Sequence, residues 1–456
     1  MKKELVCALL AFGFCSQLCN GQSPGSDPKN ASAAPKLRTV ARLFWQDTST
    51  QSVRWGDLQR SGEAWQLDPQ PLASFPSLNL DNQSLVQMEA IDQVLLVGIH
   101  DKEKGSFESG WVAFESGVTK EEHGDHFHWH YDTSPTLLAK QLDKEQGNPA
   151  HVYQYNQLFV IANDALSGFT VVDPYAIRAG RSNMSRFYSG GGNHITLAAP
   201  SREVVYATWV DRDGDNMGRI DVVSTGGNAE QKGYSFKLPT GGLHGATANA
   251  GRIFFAPADG ICSVRSDSML QEPPTVHAIE HISLGMDSVT GRPNRTGAFV
   301  NHRNYVLFTY GSGTNSQLGM IDASASRLEL RQVAIPTGEG LALVSPKTAT
   351  TRAGKEIAFV VQDRRQSEAQ ESLAIIDLDP NGDKRLEDAT IFKTLELAPS
   401  KIEGHSGHHE ICFLPENRLA CVSNPGDGSI WLISMNDFAV QARLSVGGSP
   451  GRLIAQ

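Results

Sequence analysis

Apolar and β-branched residues occur along this chain in short runs of five to eight, separated by clusters of Gly, Asn, Asp and Pro. Helical periodicity is almost absent, and short runs that alternate with turn residues are typical of β-strands. The runs also recur in a fixed order, four to a unit. One such unit, from His194 to Pro239, reads HITLAAP, EVVYATWV, GRIDVVS and GYSFKLP. The pattern predicts an all-β protein built from repeated four-stranded units.

Four-stranded units that recur about every 40–50 residues are the mark of a β-propeller. Counting the units predicts eight blades; seven is the alternative, since the first two units are the least regular. The first unit lacks its opening strand, and PGRLIAQ at the C-terminus provides a spare one. We therefore expect the C-terminal strand to complete the first blade and close the ring, which removes the exposed edges. The predicted organisation is a signal peptide at 1–21, a flexible linker at 22–37 and one propeller domain at 38–456.

The N-terminus carries Lys2 and Lys3 ahead of an apolar run at 5–15, which is a secretory signal pattern. The run is too short to span a bilayer, and no later stretch approaches the ~20 apolar residues of a membrane-spanning helix. We expect an exported, periplasmic protein with no transmembrane segment in the mature chain. Lipoprotein anchoring at Cys19 is the alternative, and Leu18 disfavours it because a small residue normally precedes a lipid-anchor cysteine.

The charge balance is acidic, with 50 Asp and Glu against 40 Lys and Arg, and no run of basic residues interrupts it. A nucleic-acid-binding protein would need a basic stripe, so that class is excluded. After signal removal three cysteines remain, at Cys262, Cys412 and Cys421. The last two flank the turn PEN, and they could face each other across a hairpin as a disulfide or be two small apolar strand residues. Both interpretations stay open.

The segment EEHGDHFHWHYD, residues 121–132, holds four of the 14 histidines. If HFHWHYD is an extended strand, its three histidines and Asp132 share one side, and its three aromatic residues share the other. Same-side neighbours are then ~6.6 Å apart, so two imidazoles can reach one ion at ~2.0–2.1 Å. Gly124 permits a tight turn that folds the preceding ligands inward. The candidate metal ligands of this segment are His123, Asp125, His126, His128 and His130. Imidazole and carboxylate ligands suit Zn²⁺, with Cu²⁺ or Ni²⁺ next.

More histidines open predicted first strands, which line the channel of a propeller. His194, His244 and His409 occupy equivalent positions in three units, and GHSGHHE adds His405 and His408. Because the first strands of different blades converge, we expect these side chains to face a common channel mouth together with the 121–132 segment. That arrangement predicts a metal site. The alternative is a set of polar residues that merely line a wet channel.

EHGDH, GNHITLAAP, the stretch LHGATANAGRIFFAPADGI and the blade-like repeats together resemble the AztD-type periplasmic zinc metallochaperones, from about residue 40 to the end. The resemblance implies a β-propeller that binds Zn²⁺ and passes it to the solute-binding protein of a zinc ABC importer. By matching motif, it places His123, Asp125 and His126 in the metal site, with His244 and His194 as channel partners. This chain departs from the family in His128, His130 and GHSGHHE.

Two other functions stay open. One is a zinc- or copper-dependent metalloenzyme with the metal at the propeller axis and Glu121, Glu122 or Glu410 as general base. The other is a protein-interaction propeller without metal. Metal binding distinguishes these two functions from a metallochaperone: an enzyme keeps its metal through turnover, and an interaction propeller binds no metal.

A separate acidic turn, DLDPNGDKRLED, resembles an EF-hand-type calcium loop. The candidate Ca²⁺ ligands are Asp377, Asp379, Asn381 and Asp388, at the first, third, fifth and twelfth positions. Asp and Gly also form ordinary turns between strands. The loop is therefore either a surface Ca²⁺ site or a plain turn.

Overall fold

The computed structural model of the protein describes residues 36–103, 106–124, 126–227, 233–288, 290–364, 369–402 and 407–456. The predicted signal peptide, most of the predicted linker, Asp125 and His405 lie outside these residues, and for His126 only the backbone is described. Residues 37–456 form one compact unit. The four-stranded units predicted from the sequence are present, and they are arranged in eight blades.

The first two blades differ most from a simple meander. Blade 1 contains β1 (Arg38–Asp47), β2 (Ser52–Ser61), β3 (Ala64–Leu67), β4 (Gln70–Pro71) and a strand from the C-terminus. Blade 2 contains β5 (Gln83–Ile91), β6 (Val94–Asp101), β7 (Ser109–Glu115) and β10 (Thr136–Asp143), with a separate hairpin of β8 (Thr119–His123) and β9 (His126–His130).

Blades 3 to 5 follow the repeat closely. Blade 3 contains β11 (Pro149–Tyr155), β12 (Leu158–Asn163), β13 (Gly168–Val172), a short helix α1 (Pro174–Arg178) and β14 (Ser185–Ser189). Blade 4 contains β15 (Leu197–Ala198), β16 (Val204–Thr208), β17 (Arg219–Ser224) and β18 (Gly233–Lys237). Blade 5 contains β19 (Ala246–Asn249), β20 (Arg252–Phe255), β21 (Ile261–Arg265) and β22 (Glu280–Ile282).

Blades 6 to 8 complete the ring. Blade 6 contains β23 (Val300–His302), β24 (Tyr305–Tyr310), β25 (Gln317–Asp322) and β26 (Leu330–Ala334). Blade 7 contains β27 (Leu341–Leu343), β28 (Lys347–Thr350), β29 (Glu356–Arg364), β30 (Ser372–Asp377) and β31 (Thr390–Glu396). Blade 8 contains β32 (Ile411–Phe413), β33 (Leu419–Asn424), β34 (Ser429–Ser434) and β35 (Val440–Ser445), and the chain ends in β36 (Pro450–Ala455). Four short 3₁₀ turns lie at Asp164–Leu166, Val276–Ala278, Gly313–Asn315 and Pro415–Asn417.

The ring closes as the sequence predicts. β36 pairs antiparallel with β1, and the blade 1 sheet runs β3-β2-β1-β36. The C-terminal strand is thus the innermost strand of the first blade. This pairing joins the two ends of the domain through a continuous hydrogen-bonded sheet and leaves no open edge between blades 8 and 1.

The hydrophobic core lies between the blades. The buried apolar side chains form eight clusters, and each cluster joins two neighbouring blades. Trp45 of blade 1, for example, is fully buried in the cluster shared with blade 8. Because every blade buries both of its faces, its inner strands are apolar on both sides, which explains the uninterrupted runs such as LFVIAN in β12.

Because successive strands run in opposite directions, the connections between them lie on two opposite faces of the ring. In an antiparallel meander, the links between blades and the links between second and third strands lie on one face, which we call the upper face. The links between first and second strands and between third and fourth strands lie on the other, the lower face. Loop residues that are distant in sequence can therefore meet only if they share a face.

Within the 121–132 segment, His126–His130 forms the predicted strand, but the place of the segment in the fold differs from the prediction. We expected it at the channel mouth together with the strand-opening histidines; it lies instead between β7 and β10, the third and fourth strands of blade 2. The hairpin therefore extends from the lower face. The error arose because TLLAKQLD, which forms β10, has no clear alternation of apolar and polar residues and was not recognised as a strand.

Cys412 and Cys421 face each other on β32 and β33 as the hairpin predicts, and both are free thiols. Burial and the neighbouring Cys421 thiol raise the pKa of Cys412 well above its ordinary value. Among the described residues, no helix has both the length and the apolar character needed to cross a membrane.

Candidate metal centre

Three imidazoles from three consecutive blades meet on the upper face. His151 lies on β11, His194 precedes β15, and His244 precedes β19. Their ring centroids are 4.8 Å apart for His151 and His194, 5.0 Å for His194 and His244, and 6.4 Å for His151 and His244. The Nε2 atoms of His151 and His194 are 3.0 Å apart. Two nitrogens bound to one zinc at tetrahedral angles would be about 3.3 Å apart, so a small movement would admit an ion.

The outward nitrogens of two of these rings have fixed partners. His194 Nδ1 lies 2.8 Å from Asp164 Oδ2, and His244 Nδ1 lies 3.2 Å from the Gly297 carbonyl oxygen. Both partners are acceptors, so Nδ1 of each ring carries the proton and Nε2 carries the lone pair. A carboxylate or carbonyl behind Nδ1 is the usual way in which proteins orient a metal-binding imidazole. The arrangement fits a transition-metal site with imidazole ligands.

The surroundings of His151 also favour its neutral, metal-binding form. Burial lowers the pKa of His151 to about 4, and the neighbouring His194 contributes to the same shift. His151 therefore stays neutral at physiological pH. Metal binding requires neutral imidazole, so no proton has to be displaced from this ring at pH 7.

The sequence predicted His194 and His244 but missed His151 and Asp164. His151 was detectable, because it lies near the start of AHVYQYN, a short β-rich run of the kind that opens each predicted unit. Asp164 lies on the upper-face turn between β12 and β13 of blade 3. It was not detectable, since its contact with His194 depends on how neighbouring blades pack.

His409 does not join these three rings. It precedes β32 in blade 8, at the position equivalent to His194 and His244, but its side chain is fully buried against Glu371. His408 lies beside it against Asp363. Sequence analysis missed both carboxylates, which lie at the upper ends of β29 and β30. His408 and His409 of GHSGHHE therefore belong to a second, separate group.

The hairpin histidines form a third group on the lower face. Strand pairing places Glu121 opposite His128 and Thr119 opposite His130, so His123, His128 and His130 share one side of the hairpin with Glu121. Glu121 contacts His130 Nε2 at 3.0 Å and His123 Nε2 at 3.2 Å. The rings of His123 and His128 are 4.7 Å apart. This group is exposed to solvent.

The structure therefore corrects the prediction of one shared channel mouth. The hairpin histidines lie on the lower face, and the strand-opening histidines lie on the upper face. A single ion cannot take ligands from both. The candidate metal ligands fall into separate groups, of which the His151, His194 and His244 group, here called the triad, has the strongest supporting contacts.

The candidate Ca²⁺ loop brings Asp377, Asp379 and Asn381 into one turn after β30. Two of their oxygens already accept local donors: Asp379 Oδ2 accepts from the Lys384 backbone at 3.0 Å, and Asn381 Oδ1 accepts from the Asp383 backbone at 2.8 Å. Lys355 lies 3.6 Å from Asp377. Asp388 is exposed, and among the described residues its side chain makes no hydrogen bond or ion pair with this turn. Nearby lysines oppose cation binding, and Ca²⁺ binding here stays a prediction without support from the contacts.

A cavity of about 700 Å³ lies beside the hairpin on the lower face, lined in part by Lys120, Trp129 and Arg452. Two of the cationic residues that line it pair with Glu410: Arg452 at 2.9 Å and Lys347 at 2.5 Å. Burial alone would raise the pKa of Glu410, but the two cations outweigh it and lower that pKa to about 2. A general base needs a pKa near the working pH, so Glu410 is unsuited to the role considered above.

The depressed pKa of Glu410 gives a pH-dependent prediction. The stabilisation by its ion pairs is complete above its ordinary pKa of about 4.5 and is lost as the pH falls toward about 2. We expect Glu410→Gln to lower the free energy of unfolding by about 3 kcal/mol at pH 7, because two half-buried cations, Lys347 and Arg452, lose their partner. The difference from the wild type should shrink at pH 3, as measured by urea unfolding. Glu63→Gln, at an exposed pair, is the control; an equal effect of both variants at pH 7 would contradict the prediction.

No family model matches the chain, and a search of curated proteins finds no match. Among solved structures, AztD from Citrobacter koseri has a TM-score of 0.62 at 18% identity, covering 92% of this chain and 98% of that one. The apo form of AztD from Citrobacter koseri has a TM-score of 0.59 at 16% identity over the same shares. Dihydro-heme d1 dehydrogenase NirN, in complex with DHE, reaches 0.50 at 10% identity, covering 92% of this chain and 77% of that one. These comparisons show that the chain has an AztD-type β-propeller fold.

Proposed function

We propose that this protein is an exported, periplasmic zinc-binding propeller that captures Zn²⁺ and delivers it to the solute-binding protein of a zinc ABC importer. The observation that carries the proposal is the triad: three imidazoles from three blades converge, and two of them are held by acceptors behind Nδ1. The fold is compatible with many functions, so the argument depends on this site.

The triad has the properties that a handover site requires. Three nitrogen ligands bind Zn²⁺ and leave a fourth position for water or for a ligand from a partner. The His194 side chain is 30% exposed, so an incoming protein can approach the ion from the upper face. A buried four-ligand site would hold the ion too firmly for transfer.

The exposed hairpin supplies a weaker group of ligands on the opposite face. Its histidines and Glu121 are open to solvent, and no burial excludes competing water. We infer that the hairpin binds Zn²⁺ with lower affinity than the triad. The two faces would then differ in role, with the triad as the site of transfer.

Zinc binding by triad variants tests the proposal. We expect the double variant His194→Ala/His244→Ala to lose more than 100-fold in Zn²⁺ affinity, because it keeps one of three ligands. Asp164→Asn should lose about 10–100-fold, which is typical when the group that orients a ligand is changed. The measurement is competition with a chromophoric chelator at pH 7.5. His277→Ala removes an exposed histidine elsewhere and should change nothing.

Transfer is tested separately from binding. Zinc-loaded protein is mixed with a metal-free solute-binding protein of a zinc ABC importer, the two are separated, and zinc is counted in each. Faster transfer than from a small chelator of equal affinity supports a direct handover. Retention of zinc by the propeller, or transfer no faster than from the chelator, would reject the delivery role while leaving zinc binding intact.

A further inference from the structure

Two carboxylates are buried together on the upper face between blades 7 and 8. Asp363, at the end of β29, and Glu371, just before β30, both have fully buried side chains. Together with His408 they have ligand atoms within 4.8 Å of one another. Among the described residues, the basic groups within ion-pairing distance of these carboxylates are the imidazoles of His408 and His409. Two buried negative charges need a compensating cation.

The protein holds these carboxylates in place with neutral donors. Asp363 Oδ2 accepts from the backbone of Gly407 and from that of His408, the latter at 2.7 Å. Glu371 accepts from the Ser400 backbone at 2.5 Å and from the Ser400 hydroxyl at 2.8 Å. Each carboxylate oxygen has two acceptor positions, so acceptor capacity remains on both groups. Backbone donors fix the geometry without neutralising the charge.

His409 directs an unpaired nitrogen into this group. Its Nδ1 donates to the Ser423 carbonyl at 2.9 Å, so Nε2 of the neutral ring carries a lone pair. Nε2 is buried and has no hydrogen-bond partner, and it lies 3.5 Å from Glu371 Oε2. Two acceptors facing each other in the interior repel, unless a cation lies between them. Their separation is close to the roughly 3.3 Å expected for two ligand atoms of one zinc ion.

We propose that Glu371, His409 and Asp363, with His408 beside them, form a second and buried binding site for a divalent transition-metal ion. Imidazole with carboxylates suits Zn²⁺ or Mn²⁺ rather than a soft-metal ion. The site does not depend on the triad, with which it shares no residue. A cavity of about 220 Å³, lined in part by Gly407 and His409, gives an ion a route to it.

The position of the site predicts its role. Its ligands come from the loop between the second and third strands of blade 7 and from the link into blade 8. An ion there would join two neighbouring blades where their apolar cluster ends. Because every ligand is buried, we expect slow exchange. This ion therefore stabilises the ring and is not passed on.

The alternative without metal is an ion pair in which His409 is protonated at Nε2 and faces Glu371 directly. Both arrangements compensate the buried negative charges. They differ in what lies between His409 Nε2 and Glu371 Oε2: a metal ion in one, a proton in the other. The deciding experiment locates the metal directly in the wild-type protein, so it does not depend on whether a variant folds.

Crystals of the full mature chain are soaked in ZnCl₂ and measured on both sides of the zinc absorption edge. We expect an anomalous peak about 2.0–2.2 Å from His409 Nε2 and from a Glu371 oxygen. In the background of His194→Ala/His244→Ala, the peak should persist, and added Zn²⁺ should raise the melting temperature. Glu371→Gln in that background should abolish this rise.

The outcomes separate this proposal from the proposed function. A peak at the triad with none at His409, together with an imidazolium NMR signal for His409, overturns the buried site and leaves the triad intact. A peak at His409 with none at the triad supports the buried site and rejects the triad as a zinc site. A rise in melting temperature that Glu371→Gln leaves unchanged also overturns the buried site.

Discussion

Deletion of Pro450–Gln456 is expected to prevent the protein from reaching its native state. β36 is the innermost strand of blade 1, where Leu453 pairs with Trp45 and Ile454 with Phe44. Leu453 is buried in the apolar cluster between blades 8 and 1. Without β36 this cluster opens, the channel edge of β1 loses its hydrogen bonds, and the ring has two free ends. Losing a single buried leucine side chain costs about 2–5 kcal/mol, and the deletion removes an entire strand.

The deletion also breaks a half-buried charge network. Arg452 pairs with Glu410 at 2.9 Å and with Glu89, so it connects the C-terminal strand with blades 8 and 2. Its loss leaves two carboxylates without their guanidinium partner. The expected result is an aggregated or expanded chain in size-exclusion chromatography, without a cooperative urea transition.

Two controls distinguish the loss of ring closure from a general effect of shortening the chain. Leu453→Ala should fold and lose only about 2–5 kcal/mol. A synthetic peptide with the sequence of residues 449–456, added during refolding of the truncated chain, should restore a cooperative transition if pairing with β1 is what matters. A truncated protein that unfolds at the wild-type urea concentration would show that closure contributes nothing.

The features that sequence analysis predicted correctly are those set by local periodicity. Blade number follows from repeated units, and ring closure follows from one missing and one spare strand. The strand at His126–His130 follows from the alternation of histidine and aromatic residues along it. These features depend on residues that are close in sequence, or on the number of strands and repeated units along the chain.

The features that it missed depend on the packing of distant loops. Asp164 reaches His194 from a turn in another blade, and Glu371 reaches His409 in the same way. No local pattern marks either carboxylate. The error over the shared channel mouth has a related cause: one unrecognised strand, β10, changed the face to which the hairpin was assigned.

Arg42→Met is expected to destabilise the protein and to release the histidine-bearing hairpin. The Arg42 side chain is 2% exposed and donates to Asp57 at 2.7 Å. Its Nη atoms donate to the carbonyls of Ser116 at 2.9 Å, Tyr131 at 3.0 Å and Thr133 at 2.5 Å. These three carbonyls lie at the two ends of the segment that forms the hairpin. Arg42 of blade 1 therefore holds the base of a hairpin that belongs to blade 2.

Methionine fills a similar volume but donates no hydrogen bond, so Asp57 and the three carbonyls lose a partner. Breaking a buried ion pair by removing one member costs about 3–5 kcal/mol. We expect a lower urea midpoint, and faster amide hydrogen exchange at residues 117–133 than in the inner strands. Arg60→Met, at an exposed arginine of the same blade, should change stability by less than about 0.5 kcal/mol. Equal midpoints for the two variants, or unchanged exchange in the hairpin, would show that Arg42 does not anchor it.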